Sequence, residues 1–153
     1  MNVTGDYTRV RVASSLEEAT LDSIPRVSED EMMFHRGPEV STRQLGFRKD
    51  GPMTIIGITN PRWYTLKKIP LDQIIPSQHT IAVEGIRSYL RNPPSEIPAV
   101  CLNLVTGNYH VESGHTRLAA EWLKGAREVL VQLFEYDREP GYSHRLKQVR
   151  PSM

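Results

Sequence analysis

YHVESGHTRLAA, residues Tyr109–Ala120, is the stretch from which we interpret the fold. Apolar and polar residues alternate through Tyr109–Glu112, as they do in a half-buried strand, and helical spacing begins after Gly114. We predict that the strand turns at Ser113 and Gly114 directly into a helix, Thr116–Lys124. Backbone N–H groups at a helix start have no partner inside the helix, so this corner is suited to bind an anion or a phosphate. The alternative is a purely structural turn, because strand-glycine-helix corners are common.

The helix after the corner has a recognisable end and a buried face. Gly125 occupies the position of a C-cap, where the left-handed conformation favours glycine. His115 and Arg117 place side-chain hydrogen-bond donors beside the first amides, so both are candidate ligand-binding residues. The apolar residues recur at helical spacing and are predicted to face the core: Leu118, Ala119, Trp122 and Leu123.

Further strands and one helix surround this corner in the sequence. Pro98–Leu104 has the composition of a central strand, and the polar turn after it predicts a hairpin with Tyr109–Glu112. Prolines near both ends predict that Ile69–Pro76 is an extended or single-turn connector. The remaining predicted elements are a strand at Trp63–Ile69, a helix at Thr80–Arg91 ended by Pro93 and Pro94, and a closing strand at Glu128–Tyr136.

The first 60 residues have less regular patterns. A helix is predicted to begin at Ser14 and Ser15 and to end by Pro25, and a second short helix follows Ser28. Two β-like runs flank an Asp-Gly turn signal, which predicts an antiparallel hairpin. The two runs of that hairpin are Thr42–Phe47 and Met53–Thr59.

The composition is that of an ordinary soluble domain of 153 residues with a net charge of +1. No run approaches the roughly 20 apolar residues that span a bilayer, and residues 1–20 lack a signal-peptide core. We therefore expect a cytoplasmic protein without a membrane partner. The first 33 residues hold seven acids and three arginines, a net −4, and the other 120 hold sixteen bases and eleven acids, a net +5. This basic excess favours polyanions but is small beside that of dedicated DNA-binding proteins.

Cys101 is the single cysteine, so an internal disulfide is excluded. A chain with one cysteine fits a reducing compartment. The residue lies in the apolar run Pro98–Leu104, which indicates a buried, inert thiol rather than a nucleophile.

The order of these pieces resembles the N-terminal domain of the ParB/sulfiredoxin superfamily. The shared order is a connector reading IPLDQIIP, a helix, a strand entered through IPAV, a turn, the motif ESGHTRLAA, a glycine and a final valine-rich strand. The resemblance covers roughly residues 64–136, and its most specific part is Gly114–Ala120 followed by Gly125. It implies an α+β fold in which helices flank a mixed sheet, with an N-terminal extension.

By this resemblance the chain divides into three parts. They are a partly helical leader at 1–40, a ParB/sulfiredoxin-like domain at 41–136 whose core is 64–136, and a basic tail at 137–153. The tail suits either a phosphate-tracking arm or a solvated tail, and the acidic leader suits either a regulatory segment or a solvated face. The oligomeric state is not indicated by the sequence.

The resemblance also implies roles for the corner residues. In that superfamily a Gly-x-x-Arg loop opens a helix and contacts nucleotide phosphates, of CTP in chromosome-partition proteins and of ATP in sulfiredoxins and free-serine kinases. Carried over, Gly114 would allow close backbone approach, and Arg117 would pair with a phosphate in bidentate fashion. His115 would hydrogen-bond a phosphate or shuttle a proton. Glu112 would hold Mg²⁺ or act as a general base.

Each of these roles has an alternative. Glu112 is also interpretable as a solvated edge residue, His115 as a helix cap and Arg117 as a surface residue. Ser113 and Thr116 belong to the implied phosphate loop, and we interpret Ser113 foremost as a cap of the helix or turn.

Recognition of a base would come from residues after the proline-rich connector. Gln78 and His79 lie there and are the candidate base or nucleic-acid contacts. Phosphate recognition by amides and arginine does not depend on the base, so the corner does not distinguish CTP from ATP or from a nucleic-acid backbone.

Several departures limit what the resemblance implies. Sulfiredoxin chemistry needs a cysteine at the position of His115, and Cys101 lies one strand earlier, so we do not expect sulfinic-acid reduction. Many kinase-like and nuclease-like relatives have Asp immediately before the loop glycine, where this chain has Ser113 with Glu112 one residue earlier. Partition proteins carry an arginine where this chain reads Ser77–Thr80, and they continue into a helix-turn-helix domain and a dimerisation domain. Autonomous centromere clamping is therefore not expected.

Three functions follow as hypotheses. The first is a small phage-type or plasmid-type ParB-like protein that binds a nucleotide or DNA at Gly114–Arg117, with nuclease or NTPase activity as an open question. The second is a phosphotransferase like the free-serine kinases, which would use ATP and Mg²⁺. The third is a non-catalytic module that holds a host or regulatory protein through the leader or the tail.

Overall fold

The computed structural model describes residues 16–53, 57–58, 63–137 and 145–146. In this part of the chain the helices are α1 (16–23), α2 (Val83–Arg91) and α3 (His115–Leu123). The strands are β1 (Glu39–Ser41), β2 (Gly57–Ile58), β3 (Thr65–Pro70), β4 (Ile74–Ile75), β5 (Thr80–Ala82), β6 (Ala99–Asn103), β7 (Tyr109–Ser113), β8 (Glu128–Tyr136) and β9 (Arg145–Leu146). Single 3-10 turns cover Glu29–Glu31, Thr42–Gln44 and Leu71–Gln73. None of the helices described is long and apolar enough to cross a membrane.

A mixed sheet of five strands, in the order β3-β8-β6-β7-β4, forms the centre of the fold. β8 pairs antiparallel with β3 and parallel with β6, while β7 pairs antiparallel with β6 and parallel with β4. α2 and α3 lie against each other, and their apolar faces share one core with Val100, Val111 and Val131 of the sheet. The predicted α+β class with a mixed sheet is therefore confirmed.

The elements around the opening corner lie where the sequence predicted them. β8 has the predicted bounds, β7 extends one residue beyond its prediction, and β6 and α3 each differ from their predictions by one residue at both ends. The predicted single-turn connector is confirmed as the 3-10 turn Leu71–Gln73. The structure adds β4 directly after that turn, where Ile74 and Ile75 pair with Tyr109 and His110 of β7.

The predicted hairpin of Thr42–Phe47 with Met53–Thr59 is wrong. A 3-10 turn follows β1, and β1 itself pairs antiparallel with β5. β2 belongs to the second predicted run and pairs parallel with β9, while residues 54–56 and 59 of that run lie outside the described residues. The apolar spacing of the first run has another cause, because two of its side chains enter the core from a turn: Leu45 and Phe47.

The predicted helix Thr80–Arg91 begins three residues later than expected, at Val83. Thr80–Ala82 instead forms β5, because its backbone pairs with β1. The end of α2 at Arg91, before Pro93, agrees with the prediction.

The segment before the sheet packs onto the core. α1 is described from residue 16 and ends before Pro25, as predicted, whereas the predicted start at Ser14 and Ser15 lies outside the described residues. The predicted short helix after Ser28 is a single 3-10 turn. The first 15 residues and most of the predicted tail are likewise outside the described part of the chain. The α1 and β1 region contributes three core side chains: Leu21, Ile24 and Val40.

Candidate functional site

A glycine in the left-handed conformation joins β7 to α3. Gly114 has a φ of 101°, and a Cβ added to it would lie 2.8 Å from the Cβ of Pro98. Both restrictions favour glycine at this position. The first hydrogen bond of α3 runs from the Leu118 amide to the Gly114 carbonyl, so the amides of the first three helical residues lie ahead of the helical ladder. The predicted strand-glycine-helix corner is present.

The corner opens into a cleft with a volume of about 570 Å³. One wall is the segment Pro94–Pro98 between α2 and β6, and another is formed by Met33 and Phe34, which precede β1. Gln78 of the loop after β4 also borders the cleft. The predicted corner residues all line it: Glu112, Ser113, Gly114, His115, Thr116 and Arg117.

His115 is buried, and its imidazole faces the loop after β4. Nε2 accepts a hydrogen bond from the Ser77 amide at 2.9 Å, and the Ser77 hydroxyl donates to the Val111 carbonyl at 2.9 Å. Because Nε2 is an acceptor, the proton of the neutral ring is on Nδ1. Burial lowers the pKa of His115 to about 4, so the ring is neutral at pH 7. The side chain therefore holds the loop after β4 against the corner.

Acid should destabilise the protein through two buried imidazoles. Burial lowers the pKa of His115 to about 4, and burial together with the charge of Arg48 lowers the pKa of His110 to about 4. As the pH falls, the unfolded state, with an ordinary pKa of 6.5, binds protons first, so the free energy of unfolding decreases from about pH 6.5 to pH 4. We expect a loss of roughly 2 to 3 kcal/mol for each ring between about pH 7 and pH 4.5, measured by urea unfolding.

Two glutamine variants test which ring is responsible. His115→Gln should remove about half of this pH dependence, because a glutamine oxygen still accepts from the Ser77 amide and does not titrate. His79→Gln is the matched control, because it makes the same substitution at an exposed position outside the core. An unaltered pH dependence in His115→Gln would contradict a neutral, buried His115.

The Arg117 guanidinium turns back onto its own chain. Nε donates to Glu121 Oε1 at 3.1 Å, and Nη1 donates to the carbonyls of Pro94 and Glu96. Only 24% of the Arg117 side chain is exposed. These bonds join α3 to the Pro94–Pro98 wall of the cleft. Bidentate pairing with a phosphate, which the resemblance implies for Arg117, requires some of these bonds to be exchanged for bonds to the ligand.

Glu112 and Ser113 are exposed where β7 ends at the rim of the cleft. The interpretation of Ser113 or His115 as a cap of α3 is wrong, because the N-cap residue is Gly114 and no side chain caps this helix end. The described residues contain no group of three or more His, Cys, Asp or Glu that could hold a metal ion. Glu112 is the predicted Mg²⁺ ligand, and Mg²⁺ at nucleotide sites takes most of its other ligands from water and from the phosphates, so we derive no metal-dependent step from the protein alone.

The two predicted base-contact residues both lie in the loop after β4, but only one of them borders the cleft. Gln78 borders the cleft, and its side-chain Nε2 donates to the Thr80 carbonyl at 2.8 Å. His79 is exposed and borders a separate hollow with Met33 and Arg43. The structure therefore brings Gln78, but not His79, to the corner.

The sequence did not indicate the other walls of the cleft. Their residues come from three separate parts of the chain and carry no shared motif. Among them are Met33, Phe34, Tyr89, Glu96, Ile97 and Pro98. The sequence signal that could have pointed to this wall is an aromatic residue, Phe34, in a segment otherwise rich in acids and turn residues.

Cys101 is fully buried, as predicted. Burial, and after it the charge of Glu112, raises the pKa of the thiol above its ordinary value. The thiol therefore stays protonated at neutral pH. Cys101 is also not among the residues that line the cleft.

Comparisons of the chain with protein-family models, with curated proteins and with solved structures found no match. The resemblance to the ParB/sulfiredoxin superfamily stays a prediction. The assignment of a function therefore depends on the geometry of the cleft.

Proposed function

We propose that the protein binds a nucleotide in the cleft, with the phosphates at the N-terminus of α3. The observation that carries the proposal is that the three first-turn residues of α3, His115, Thr116 and Arg117, line one cleft of about 570 Å³. Volumes of roughly 300 to 1,000 Å³ are usual for small-ligand sites. Unpaired amides and the positive end of the helix dipole favour an anion at this end. The resemblance to the ParB/sulfiredoxin superfamily supports the same ligand class, a nucleoside triphosphate such as CTP or ATP.

The charges around the cleft favour one nucleotide over a track of nucleic acid. Nucleic-acid backbones are held mainly by Lys and Arg side chains that neutralise successive phosphates. Glu96 and Glu112 border this cleft, and Arg117 forms an ion pair with Glu121. Two carboxylates on the rim repel an extended polyanion more than they repel a compact ligand seated at the helix terminus.

The geometry favours binding over turnover. A proton shuttle needs a ring nitrogen that can reach the ligand. In His115, Nε2 already accepts from the Ser77 amide and Nδ1 carries the proton of the neutral ring, so no nitrogen lone pair is free to take a proton from the ligand. Glu112 is the remaining acid-base candidate, and it is exposed at the rim. The proposed function is nucleotide binding, with no catalytic step attached.

A negative charge in the first turn of α3 should reduce nucleotide binding without unfolding the protein. Thr116→Asp adds a carboxylate beside the proposed phosphate position, and an acid at a helix N-terminus is tolerated by the helix dipole. We expect affinity for CTP and ATP to fall about tenfold or more, measured by isothermal titration calorimetry. Thr106→Asp is the matched control, because Thr106 is exposed in the turn between β6 and β7 and gains the same charge. The affinity of Thr106→Asp for CTP and ATP should stay within about twofold of the wild-type affinity.

The same titrations with inorganic tripolyphosphate and with duplex and single-stranded DNA at two salt concentrations separate a site from general charge attraction. If wild type binds neither nucleotides nor tripolyphosphate, the proposal is overturned. Equal losses in Thr116→Asp and Thr106→Asp would also overturn it, because the corner would then have no special role. A preference for DNA over nucleotides would replace the ligand that we propose.

A further inference from the structure

A buried carboxylate lies behind the cleft wall that precedes β1. Glu39, the first residue of β1, is fully buried. Its Oε1 accepts hydrogen bonds from the Thr80 hydroxyl at 2.6 Å and from the Met33 amide at 2.8 Å. Its Oε2 accepts from the amides of Phe34 at 3.0 Å and His35 at 2.8 Å. One charged group thus gathers four donors, three of them consecutive backbone amides.

Hydrogen-bond donors keep the buried Glu39 carboxylate in its ionised form. Burial alone would raise the pKa of Glu39, but the hydrogen bonds from Thr80 and from the three backbone amides outweigh it and lower the pKa. The carboxylate is therefore ionised at neutral pH, and hydrogen bonds to an ionised acceptor are stronger than neutral ones.

These bonds fix a loop that we name the strap, residues 32–38. Consecutive amides converge on one carboxylate only when the chain wraps around it, and His35 adopts a left-handed φ of 54° within the strap. The strap is tied a second time, because the Met33 sulfur accepts a hydrogen bond from the His79 amide at 3.3 Å. His79 and Thr80 connect the strap to β5, which pairs with β1.

The strap presents two large apolar side chains to the cleft. Met33 is 45% exposed and Phe34 is 44% exposed, and both line the cleft together with Tyr89. Small-ligand sites combine aromatic side chains with a few directed polar groups. Here an apolar wall and an anion-binding corner border the same cleft. A ligand that carries both a flat apolar ring and phosphates matches this pair of surfaces.

We propose that Phe34 stacks on the base of the bound nucleotide and that Glu39 positions it. The inference rests on the nucleotide binding proposed above, and it adds the chemical group that the second wall recognises. Every nucleobase has a flat π surface, so this contact separates nucleotides from inorganic phosphates without selecting ATP over CTP. Glu39 is fully buried and does not touch the ligand. It positions Phe34 through the hydrogen bonds that its carboxylate accepts from the strap amides.

Removing the aromatic ring of Phe34 should lower the affinity for nucleotides and leave the affinity for inorganic tripolyphosphate unchanged. Phe34→Ala is expected to reduce affinity for ATP and CTP by about tenfold to a hundredfold, the effect of losing one base-aromatic stack. Inorganic tripolyphosphate, which has no base, should bind this variant and wild type within about twofold. Phe34→Trp should retain nucleotide binding, since it keeps an aromatic face. Leu104→Ala is the matched control, because Leu104 is 47% exposed and does not border the cleft.

Glu39→Gln tests the positioning role. The variant keeps the shape of the side chain but places an NH₂ group against backbone donors. We expect faster hydrogen exchange of the amides at 33–35 and a loss of ATP affinity in the same direction as Phe34→Ala. Tripolyphosphate affinity should be unchanged. A merely structural Glu39 would lower stability without separating ATP from tripolyphosphate.

The two proposals fail in distinguishable ways. If Phe34→Ala leaves ATP affinity unchanged, or lowers ATP and tripolyphosphate affinity equally, base stacking by Phe34 is overturned and nucleotide binding at the corner stands. If wild type binds neither probe, the proposed function itself is overturned. The inference is supported if both Phe34→Ala and Glu39→Gln lose affinity for ATP but keep their affinity for tripolyphosphate.

Discussion

Replacing Glu39 with alanine is expected to lower the free energy of unfolding by about 3 to 5 kcal/mol. The substitution removes the shared acceptor of four hydrogen bonds, so the Thr80 hydroxyl and three strap amides lose their partner. Each buried donor left unsatisfied costs about 1 to 3 kcal/mol. The strap lies at the surface, where water can reach some of these donors, so the loss should be smaller than the sum of four such costs.

Denaturant unfolding at pH 7 measures this loss directly. Glu128→Ala is the matched control, because Glu128 is also the first residue of a strand but is exposed, and its loss should stay below about 0.5 kcal/mol. The loss of unfolding free energy in Glu39→Gln should lie between the losses in Glu39→Ala and Glu128→Ala, because one side-chain oxygen still accepts hydrogen bonds. A loss in Glu39→Ala as small as that of the control would contradict the anchoring role of the buried carboxylate.

The parts of the fold with strong local patterns could be predicted from the sequence. β8 alternates buried and exposed side chains along much of its length, and its bounds follow from that pattern. The corner at Gly114 has a glycine between an alternating segment and helical spacing, so both neighbours and the turn were predictable. These signals lie within a few residues of the feature that they specify.

β1 and β5 could not be predicted because their partners are distant in the sequence. Each strand has three residues, too few to establish a period of two, and Thr80 lies 41 positions after Glu39 in the sequence. Isolated glutamates are rarely buried, so nothing in the sequence indicates that Glu39 lies in the core. Its partners are mostly backbone amides, which every non-proline residue carries, and their convergence is a property of the folded loop alone.

The candidate site shows the same division. The position of the corner was predicted, but the directions of its side chains were not. His115 and Arg117 are donors by residue type, yet one accepts from Ser77 and the other donates to the Pro94–Pro98 wall. Those contacts depend on segments that the sheet brings together, and no spacing near the corner encodes them. The Phe34 wall was missed for the same reason.

Substituting Gly114 with alanine is expected to cost about 2 to 5 kcal/mol and to disable the corner. A residue other than glycine pays about 1 to 2 kcal/mol for the left-handed conformation. In addition, the new Cβ would lie 2.8 Å from the Cβ and 3.0 Å from the Cα of Pro98, so backbone would have to move. Such overpacking typically adds about 1 to 3 kcal/mol. The first-turn amides of α3 would move with the corner, so affinity for tripolyphosphate should fall as well.

Gly107→Ala separates these two costs. Gly107 also has a positive φ, of 77°, but among the described residues no heavy atom beyond its two chain neighbours lies within 4 Å of a Cβ added to it. It should therefore lose only the conformational part, about 1 to 2 kcal/mol, and keep wild-type affinity for tripolyphosphate. Urea unfolding of both variants gives the difference, which measures the contact between the corner and Pro98. Equal losses of stability in the two variants would mean that this contact does not constrain the corner, and the requirement for glycine at 114 would then be conformational alone.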